Sequence, residues 1–556
     1  MNLFLVSFAL FATSIKFSVA DLPLTLTLIH VNDLHARFEP VTAGPKSEDC
    51  NLEPKEKCIA GYARVVHAIR ALKQKYHDDN PMLINAGDNF QGSIWYGFLR
   101  WNVTQAMLKL ELPSLMVLGN HEFDHGVENL AKFLEYIDSP VVCANIKTRN
   151  EPAIDEKIAE TLVREFNVKG QIVRVGFIGA LYDKTNLTAN TGKVEFRNAI
   201  ESVKHAANEL KNKGINKIIV VSHCGHSVDL QIAEEVGDLV DVIVGSHSHT
   251  LLWPKNYSIY PVGQEVVGEY PTIVHPKMSP ERQVLLVQAF CHGKVVGAIQ
   301  LFFDEHGEVK KFKPDPLYLD ENYPQDEQVN KAMDIWRKEI EEIAKKPIGF
   351  TKVILKGKSC RWGECQLGSL LVNIFQKHYS KDSSEPILAF IQGASMKGDL
   401  SSAIITEGDL MRVYPFDSSV DIMEIEGKHI RRTLEKAATL DRKKRFNFLQ
   451  ISGFKVVYDM SRNEFERVIS VKVDMGNNRF EPLLDDKLYK VVTSCFLANG
   501  GDNFSEIALN KKNYQIGPDS RDLIKKYLAS HKISGNDVYR GASDVLRCPY
   551  CDEKKV

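Results

Sequence analysis

The sequence has little net charge and no strong compositional bias. Its 556 residues include 70 lysines and arginines and 72 aspartates and glutamates, a formal charge of −2 at pH 7. This balance excludes a strongly basic protein that binds nucleic acid and an acidic disordered chain. No Gly-X-Y period, heptad run or low-complexity tract is present, which excludes fibrous and repetitive architectures. The chain is long enough to build sizeable hydrophobic cores.

Long hydrophobic runs are also absent. The apolar segment from Leu3 to Ala12 is too short to cross a bilayer. Small residues follow at Ser18 and Ala20, so we predict that residues 1–20 form a secretory signal peptide. The end of the chain, RCPYCDEKKV, lacks the hydrophobic tail of a lipid-anchor signal. We therefore expect a secreted product without a membrane anchor.

The ten cysteines fit an oxidising compartment. Close spacing predicts local disulfides for Cys50/Cys58, Cys360/Cys365 and Cys548/Cys551, although a C-x-x-C such as the last can also bind a metal. The other cysteines lie in apolar runs, where we expect buried thiols. They are Cys143, Cys224, Cys291 and Cys495.

Glycosylation signals of the form Asn-x-Ser/Thr begin at Asn102, Asn186, Asn256 and Asn503. The first three are expected to lie in surface loops. Asn503 lies inside a tight Gly-rich loop and is a poor acceptor.

The first half of the chain alternates between strands and helices. Apolar runs rich in Val, Ile and Leu, with little period-two alternation, are typical of strands buried on both faces. We predict such strands at 24–29, 81–86, 115–119, 141–146, 173–180, 217–222 and 240–245, with later ones at 284–290 and 295–303. Helical patterns intervene at 62–76, 198–213 and 229–236. The pattern predicts a sheet covered by helices.

A long charged helical pattern at 326–346 separates this half from a second mixed α/β unit, and Pro347 ends it. In the second unit we predict helices at 367–379, 427–440 and 520–530. Strands are predicted at 387–391, 454–459, 468–474 and 488–496.

Polar residues follow several of the first-half strands at their carboxyl ends. They are Asp33 and His35, Asp88, Asn120 and His121, His223, and His247 and His249. In such sheets, ligands bind outside the carboxyl ends of the strands. Asp, Asn and His are ligands for divalent cations, so we expect these segments to meet around metal ions.

A bridging carboxylate with flanking histidines can hold two metal ions about 3.5–4 Å apart, the arrangement of a phosphoester hydrolase. Asp88, short and next to Gly87, is the natural bridge. A lone His near a strand end is usually an ordinary polar residue, but five such segments in order are hard to obtain by chance. The sequence therefore predicts two divalent ions. Zn, Mn, Mg and Ca are all open, with Ca or Mg expected to support activity.

The blocks NDLH, GDNFQG, GNHEFD, SHCGH and GSHSH resemble the metal-binding blocks of the 5′-nucleotidase family within the calcineurin-like metallophosphoesterases. IQGASMK, YPFD and CFLANGGDNF resemble that family's C-terminal substrate blocks, in the same order. The resemblance covers nearly the whole chain after residue 20. It implies an α/β (α+β) fold with a four-layer metallophosphoesterase domain at 21–325, in which packed β-sheets are flanked by helices. A connecting helix at 326–347, a smaller nucleotide-binding domain at 348–545 that rotates against the first, and a short Cys-bearing tail at 546–556 would follow.

The resemblance also implies a dinuclear site. Its ligands would match Asp33, His35, Asp88, Asn120, His223 and His247, with His249 close by. A catalytic pair is implied at His121 and Asp124. The imidazole would act as acid or electrostatic stabiliser, and the carboxylate would orient it. A capping interaction at a helix start is the structural alternative for this pair. Arg37 would reach the phosphate or be a solvated side chain.

In the second half, Phe416 and Phe496 resemble the family's pair of aromatic residues that sandwich the base. Stacking tolerates any purine, and ordinary core packing is the alternative for each ring. Asp502 would accept hydrogen bonds from ribose hydroxyls. Gly500 and Gly501 would let the backbone approach the nucleotide.

The phosphate-binding loop departs from the family pattern. Ecto-5′-nucleotidases carry an Asn-Gly-Gly-Gly-Ile-Arg type loop, whereas this chain reads QGASMK from Gln392 to Lys397. Lysine lacks the fork-shaped donor of arginine, so two-point recognition at Lys397 is lost. This departure weakens the expectation of strict AMP specificity. Arg361, in the short loop between Cys360 and Cys365, can bind phosphate with two hydrogen bonds. An ordinary exposed loop arginine is the alternative.

The strings LRWNVT, LYDKT and IQGAS and the short tail resemble the secreted salivary apyrases of blood-feeding insects, a group within this family. That group hydrolyses ATP and ADP to AMP and so suppresses platelet aggregation. The leading hypothesis is therefore a secreted apyrase with ATP and ADP as substrates. A secreted 5′-nucleotidase that makes adenosine from AMP is the second. A non-enzymatic protein that binds a platelet receptor or nucleotide is the third, and the intact ligand set argues against it.

Overall fold

The structure is a computed structural model that describes residues 23–44, 47, 50, 57–255, 257, 259–261, 263–381, 383–401, 403–416, 418–440, 446–477, 479–538 and 542–546. The predicted signal peptide 1–20, the pair Cys548/Cys551, the signal at Asn256 and nearly all of the tail 546–556 lie outside the described residues.

The first half of the chain contains two large sheets and the helices that cover them. Its strands are β1 (Leu24–Val31), β2 (Val41–Thr42), β3 (Cys58–Ile59), β4 (Pro81–Asn85), β5 (Leu115–Val117), β6 (Val141–Val142), β7 (Ile146–Lys147), β8 (Ile158–Ala159), β9 (Thr161–Val168), β10 (Gln171–Leu181), β11 (Glu195–Phe196), β12 (Ile218–His223), β13 (Val242–Val244), β14 (Thr272–Val274), β15 (Val284–Val287), β16 (Val295–Phe303), β17 (Val309–Pro314) and β18 (Leu317–Tyr318). Its helices are α1 (Tyr62–Lys75), α2 (Ile94–Leu108), α3 (Gly126–Tyr136), α4 (Pro152–Asp155), α5 (Ala199–Asn212), α6 (His226–Val236) and α7 (Glu327–Ala344), with 3₁₀ turns at Lys109–Glu111, His121–Phe123 and Thr185–Leu187.

The second half is a mixed α/β unit. Its strands are β19 (Pro347–Thr351), β20 (Ile387–Gln392), β21 (Ala403–Thr406), β22 (Val420–Glu426), β23 (Leu449–Ser452), β24 (Phe454–Tyr458), β25 (Val468–Asp474), β26 (Phe480–Pro482), β27 (Leu488–Ser494), β28 (Lys512–Gln515), β29 (Lys532–Ile533) and β30 (Ser543–Val545). Its helices are α8 (Gln366–Ser380), α9 (Glu407–Val413), α10 (Gly427–Ala437), α11 (Cys495–Ala498), α12 (Ser505–Asn510) and α13 (Ser520–Ser530), with 3₁₀ turns at Gly393–Ser395, Gly501–Asn503 and Gly535–Asp537.

The two large sheets of the first half are largely parallel where they carry the predicted ligands. The first sheet has the order β17-β16-β1-β4-β5-β6-β8, and β1, β4 and β5 run parallel. The second has the order β14-β15-β13-β12-β10-β9, and β12, β13 and β15 run parallel. Parallel neighbours end at the same edge of a sheet, so the segments after these strands are brought together.

The sheets pack face to face, with helices outside. Leu28 of β1 and Phe177 of β10 belong to the apolar layer between the sheets, whereas the adjacent Ile29 belongs to the core under the helices. Helices α1, α2, α3 and α7 cover the first sheet, and α5 and α6 cover the second. This helix–sheet–sheet–helix order confirms the predicted four-layer fold. Because both faces of each sheet are buried, the strands read as continuous apolar runs.

In the second half, one sheet has the order β23-β20-β27-β22-β28 and another the order β26-β25-β24-β30. The first of these is covered by α8 and α13 on one face. On its other face it shares a core with α10 and the strands β24 and β25.

Helix α7 lies where the charged helical pattern was predicted. Asp326 caps its start, and the Oδ1 atom accepts from the backbone N–H groups of Gln328 and Val329 at 3.0 and 3.1 Å. The side chains of Val329, Met333 and Ile340 are buried in the core shared with α1 and α2. The helix therefore packs firmly on the first half of the chain.

Several local predictions are wrong. The strand predicted over 141–146 is split because Asn145 interrupts it: its side chain donates to Leu181 O at 2.7 Å and accepts from Leu181 N at 2.9 Å, in place of a backbone neighbour. The strand predicted over 488–496 ends at Ser494, whose Oγ accepts from Leu497 N at 3.4 Å and so caps α11. Asn102, expected in a loop, is exposed on helix α2.

The predicted disulfides Cys50–Cys58 and Cys360–Cys365 are formed. Cys143, Cys224 and Cys291 are buried free thiols as expected, whereas Cys495 is partly exposed. Within the described part of the chain, no helix combines the length and apolar character that membrane crossing requires.

Replacing Met333 by Ala should lower the free energy of unfolding by about 2–5 kcal/mol because it removes a buried side chain from this core. The side chain is 1% exposed, whereas that of Ile335 on the same helix is 70% exposed. Ile335→Ala should therefore change stability by less than about 0.5 kcal/mol. Urea unfolding followed by circular dichroism measures both values. Small and equal effects would mean that α7 does not pack as the structure shows.

Candidate metal centre

Strand ends from both sheets build the centre. Asp33 and His35 follow β1, Asp88 follows β4, and Asn120 and His121 follow β5 in the first sheet. His223 ends β12 of the second sheet, and His247 and His249 follow β13. The structure thus brings all the predicted ligand segments to one edge, where the two sheets meet.

The backbone at this edge is tightly turned. Asp33, His35, Asp88, His247 and His249 have φ values of 50°, 49°, 54°, 71° and 50°. Such left-handed conformations are unfavourable for non-glycine residues and persist only where the surroundings impose them. Each turn aims a side chain from the end of a strand towards the common centre.

Asp88 lies at the middle of this arrangement. Its Oδ2 is 3.1 Å from His223 Nε2 and 3.9 Å from His35 Nε2. Its Oδ1 accepts from the backbone N–H of His121 at 2.9 Å. Donor atoms of Asp88, His35 and His121 lie within 4.8 Å of one another, as do those of Asp88, His223 and His247. Asp88 therefore lies close both to His35 and to the pair His223 and His247, as a bridging carboxylate must.

Asp33 is the second carboxylate of the centre. Its Oδ1 is 3.4 Å from His249 Nε2, 3.9 Å from His35 Nε2 and 4.0 Å from His223 Nε2. Its Oδ2 accepts from the Asn32 side-chain amide at 2.7 Å and from the backbone of His247 at 3.0 Å. One oxygen is thus fixed by hydrogen bonds and the other faces the imidazoles.

Buried polar atoms without hydrogen bonds indicate that these residues fit metal ions. Asp33 Oδ1, Asn120 Oδ1 and His223 Nε2 are shielded from solvent and make no hydrogen bond with any residue that the structure describes. Buried polar atoms are almost always satisfied. The other ring nitrogen of His223 lies 2.7 Å from Ala86 O, which fixes Nδ1 as the donor and leaves Nε2 as the nitrogen that faces the centre. Divalent cations would satisfy all three atoms.

The pKa shifts of the central carboxylate and imidazoles also fit a metal site. Burial alone would raise the pKa of the Asp88 carboxyl, but His223 and His121 hold it well below its ordinary value. Burial opposes a charge on His223, yet the neighbouring Asp88 raises the pKa of that imidazole to about 9. Burial lowers the pKa of His35 to about 3. The buried carboxylates thus draw positive charge, and a metal ion would displace the imidazole protons on binding.

His121 and Asp124 form a dyad at the rim. His121 begins the 3₁₀ turn His121–Phe123 and Asp124 directly follows it, and His121 Nδ1 lies 2.7 Å from Asp124 Oδ2. Burial opposes protonation of His121, but Asp124 and Asp88 outweigh it and raise its pKa to about 10. The Asp124 carboxylate pairs with the imidazole rather than with a backbone N–H, so its geometry suits orientation of the ring more than helix capping.

Sequence reasoning missed Glu122. The side chain is fully buried, and its Oε2 accepts from the backbone N–H groups of Asp88 at 3.0 Å and Gly119 at 2.6 Å. Its Oε1 accepts from Asn89 N at 2.7 Å. Glu122 therefore ties the loop after β4 to the loop after β5. A carboxylate inside the GNHEFD block was the available signal.

Sequence reasoning also missed His292. It follows β15, the parallel neighbour of β13, and its ring lies 5.6 Å from that of His35 and 5.5 Å from that of His249. Arg37 lies close enough to contribute to the lowered pKa of His292, after the larger effect of burial. Arg37 is thus placed beside the metal centre, and its contact with a phosphate stays a prediction.

The aromatic pair predicted to hold the base is partly open to solvent. Phe416 is 42% exposed and Phe496 is 47% exposed, unlike ordinary core phenylalanines. Lys397 Nζ lies 5.0 Å from the centre of the Phe416 ring. Ser418 Oγ and Cys495 Sγ are 3.3 Å apart, so the segment carrying Phe416 adjoins the one carrying Phe496.

The glycines of the predicted ribose loop are required by close contact. A Cβ on Gly501 would lie 2.4 Å from the Phe496 ring, which only a glycine avoids. Gly500 has a φ of 87° and the next polar residue, Asp502, one of 54°. The loop therefore packs its backbone directly against the edge of the exposed ring.

The remaining predicted phosphate-binding residues lie near one another. Gly393 packs against the disulfide loop of Arg361, because a Cβ there would lie 1.9 Å from Cys360 O and 3.0 Å from Arg361 N. Arg361 Nη2 donates to Asn447 Oδ1 at 3.4 Å. Gln392 is buried, with Oε1 3.4 Å from Ser494 Oγ. Gln392 and Arg361 are thus brought to the same end of the second unit.

The two halves of the chain meet next to the dyad. Cys495, directly before Phe496, is close enough to Asp124 for that carboxylate to contribute to its raised pKa, after the larger effects of burial and Asp421. His125 Nε2 lies 3.8 Å from Asp519 Oδ2. The segment with Phe496 therefore adjoins the His121–Asp124 pair.

Replacing Gly119 by Ala should disrupt the centre, since the added Cβ would lie 2.0 Å from Asp88 Oδ1 and 2.4 Å from Asp88 N. We expect at least a tenfold loss of metal affinity, as for residues that orient metal ligands. Gly535→Ala is the control because nothing lies within 4 Å of its Cβ position. Zinc titration against a competing chelator measures both. Unchanged affinity in the Gly119 variant would contradict the placement of Asp88.

Known protein families match both halves of the chain. The calcineurin-like phosphoesterase family model matches residues 26–251, and the model of the 5′-nucleotidase C-terminal domain matches residues 347–508. The chain is 41% identical over 526 residues to an apyrase of Anopheles gambiae, which covers 93% of this chain and 90% of that protein. It is 31% identical over 527 residues to the 5′-nucleotidase of Bos taurus, which covers 92% of this chain and 90% of that protein.

A solved structure is similar along the whole chain. The 5′-nucleotidase precursor from Thermus thermophilus has a TM-score of 0.61 and 32% sequence identity, over 95% of this chain and 100% of that one. These matches confirm the resemblance seen in the sequence blocks. Because they cover both halves in order, the chain belongs to the 5′-nucleotidase family of calcineurin-like metallophosphoesterases, whose members use divalent metal ions.

Proposed function

We propose that the protein is an apyrase that hydrolyses ATP and ADP to AMP and phosphate with two divalent ions. The observation that carries the proposal is the set of buried, unsatisfied ligand atoms around Asp88 directly beside the His121–Asp124 pair. The identity to an apyrase over most of the chain supports the choice of substrates.

The geometry of the centre supports two proposed sets of metal ligands. Asp33, His35, Asp88 and His249 would hold one ion, and Asp88, Asn120, His223 and His247 the other. Two such ions would activate water and stabilise charge on the phosphoryl oxygens. Asn120 supplies an amide oxygen without adding charge. For the identity of the ions, Ca or Mg is our proposal for activity, and Zn and Mn are the alternatives.

His121 would act on the leaving oxygen. The ring is held at Nδ1 by Asp124 at 2.7 Å, which leaves Nε2 for the substrate. A protonated imidazole there would donate to the leaving oxygen or stabilise its charge. Asp124 orients the ring and favours its protonated form.

The second half would hold the nucleotide. The exposed rings of Phe416 and Phe496 would stack on the base. Asp502 would accept from the ribose hydroxyls beside the backbone of Gly500 and Gly501. The phosphates would meet cationic and amide donors, for which we propose Arg361, Gln392, Lys397 and Arg37.

The loop from Gln392 to Lys397 favours the apyrase over the alternative, a 5′-nucleotidase that converts AMP to adenosine. Lys397 binds as a point charge, without the two-point fork of arginine. It already lies over the Phe416 ring, at the edge of the proposed base site. The bovine 5′-nucleotidase supports the alternative at lower identity.

We further propose that the protein is secreted, with saliva as the expected source, and glycosylated. The disulfides Cys50–Cys58 and Cys360–Cys365 support an oxidising compartment, and Asn102 and Asn186 are exposed. Removal of ADP would then inhibit platelet aggregation during blood feeding. The chain would divide into a metal domain at 21–325, a helix at 326–347 and a substrate domain at 348–545.

Phosphate release from ATP, ADP and AMP tests the proposal. We expect rapid release from ATP and ADP that stalls at AMP, because the altered loop lacks the arginine fork. The measurement uses purified protein with Ca, Mg, Mn and Zn in turn. Fast release from AMP would instead establish the 5′-nucleotidase.

His121→Ala is the matched control for this assay. Its kcat should fall by about 10²–10⁴-fold, the contribution typical of a general acid. Metal content should not change, because the proposed ligand sets do not need this side chain. Full activity in the variant would contradict the role assigned to His121. If the unsubstituted protein turns over no substrate with any of the metals, the proposal that it is an apyrase is wrong.

A further inference from the structure

His292 lies on the wall of the metal centre, yet neither ligand set described above includes it. Its backbone N–H donates to Asp33 O at 2.8 Å, which fixes the residue beside the Asp33 loop. Ligand nitrogens of His35, His249 and His292 all lie within 4.8 Å of one another. The three imidazoles therefore surround one position next to the Asp33 carboxylate.

The ring of His292 has an unsatisfied nitrogen. Its Nδ1 is shielded from solvent and makes no hydrogen bond in the described part of the chain. Besides His35 and His249, Arg37 and Lys294 place positive charge near the ring. A buried acceptor without a donor is rare in proteins. A bound metal ion would give this nitrogen an interaction partner.

We propose that His292 is a further metal ligand, which makes the position of Asp33, His35 and His249 a three-imidazole site. This inference rests on the two-metal centre of the proposed function. Imidazole ligands suit Zn²⁺ and similar borderline ions, whereas Ca²⁺ and Mg²⁺ prefer oxygen ligands. The two positions are therefore unequal. The one with His292 retains a zinc-type ion, and the one with the amide oxygen of Asn120 accepts a wider range of divalent ions.

A packing role for the ring makes a different prediction. Phenylalanine has the same ring shape but no nitrogen, so it would replace a packing histidine with little effect. The φ of His292 is 57°, a left-handed conformation that histidine already adopts with its Cβ. Phenylalanine has the same Cβ and adds no backbone strain. His292→Phe therefore removes the ligand atoms without a new backbone demand.

The experiment compares metal binding by the stripped full-length protein and its variants. Zn²⁺ affinity is measured by competition with a coloured chelator, and Co²⁺ binding by visible absorption. In His292→Phe, one of two Zn²⁺ equivalents should bind at least about tenfold more weakly, since even residues outside the ligand set cost 10–100-fold. The visible spectrum of Co²⁺ bound at that position should change, whereas the spectrum of Co²⁺ at the other position should stay the same.

Two further variants calibrate the result. His205→Gln, on the exposed face of α5, should match the unsubstituted protein. His35→Ala should weaken the same equivalent that His292→Phe weakens. His292→Gln, which keeps a polar side chain, should show the same loss and decides the question if the phenylalanine variant does not fold.

The possible failures are distinguishable. If His292→Phe keeps both affinities and the Co²⁺ spectrum while His35→Ala loses one equivalent, His292 is not a ligand and the two-metal centre stands. If the unsubstituted protein binds fewer than two equivalents of every ion tested, the two-metal centre fails and the His292 inference fails with it.

Discussion

A buried carboxylate among imidazoles is the constraint on which this structure depends. Asp88 is 2% exposed and lies between the ligand groups of the two sheets. Burying this carboxylate requires compensating positive charge. Its position in the tight loops also requires neighbouring residues without side chains. A Cβ on Gly87 would lie 2.6 Å from Gly119 N, and one on Gly119 would lie 2.0 Å from Asp88 Oδ1. Glu122 then fixes both loops through their backbone N–H groups.

The four-layer packing brings the ligand residues together at one edge. Two sheets packed face to face end their parallel strands side by side, so short loops from both can converge without long connections. The second half contributes two partly exposed aromatic rings, those of Phe416 and Phe496. Phe416 and Phe496 remain partly open although each belongs to a well-packed unit, and Phe496 adjoins Asp124. In the proposed function, the reacting phosphate and the base therefore bind to different halves of the chain.

Much of this could be predicted from the sequence because the strands are buried on both faces. Their continuous apolar runs mark where each strand ends, and the ligand residues stand directly after those ends. His292 was missed because it lies five residues past the true end of the strand at Val287, beyond a run predicted to continue to residue 290. Phe290 and His292, both with a φ of 57°, turn the chain there, and apolarity does not reveal such turns. Tertiary hydrogen bonds, such as those of Asn145 and Glu122, were likewise beyond a local pattern.

The most direct test of the central claim is to locate the metal ions themselves. A crystal of the metal-loaded protein, measured at the absorption edge of the bound metal, gives anomalous peaks at each ion. The account predicts two peaks about 3.5–4 Å apart, with the Asp88 carboxylate between them and Asn120 Oδ1 bound to one. A single peak, or two peaks that do not share Asp88, would contradict it.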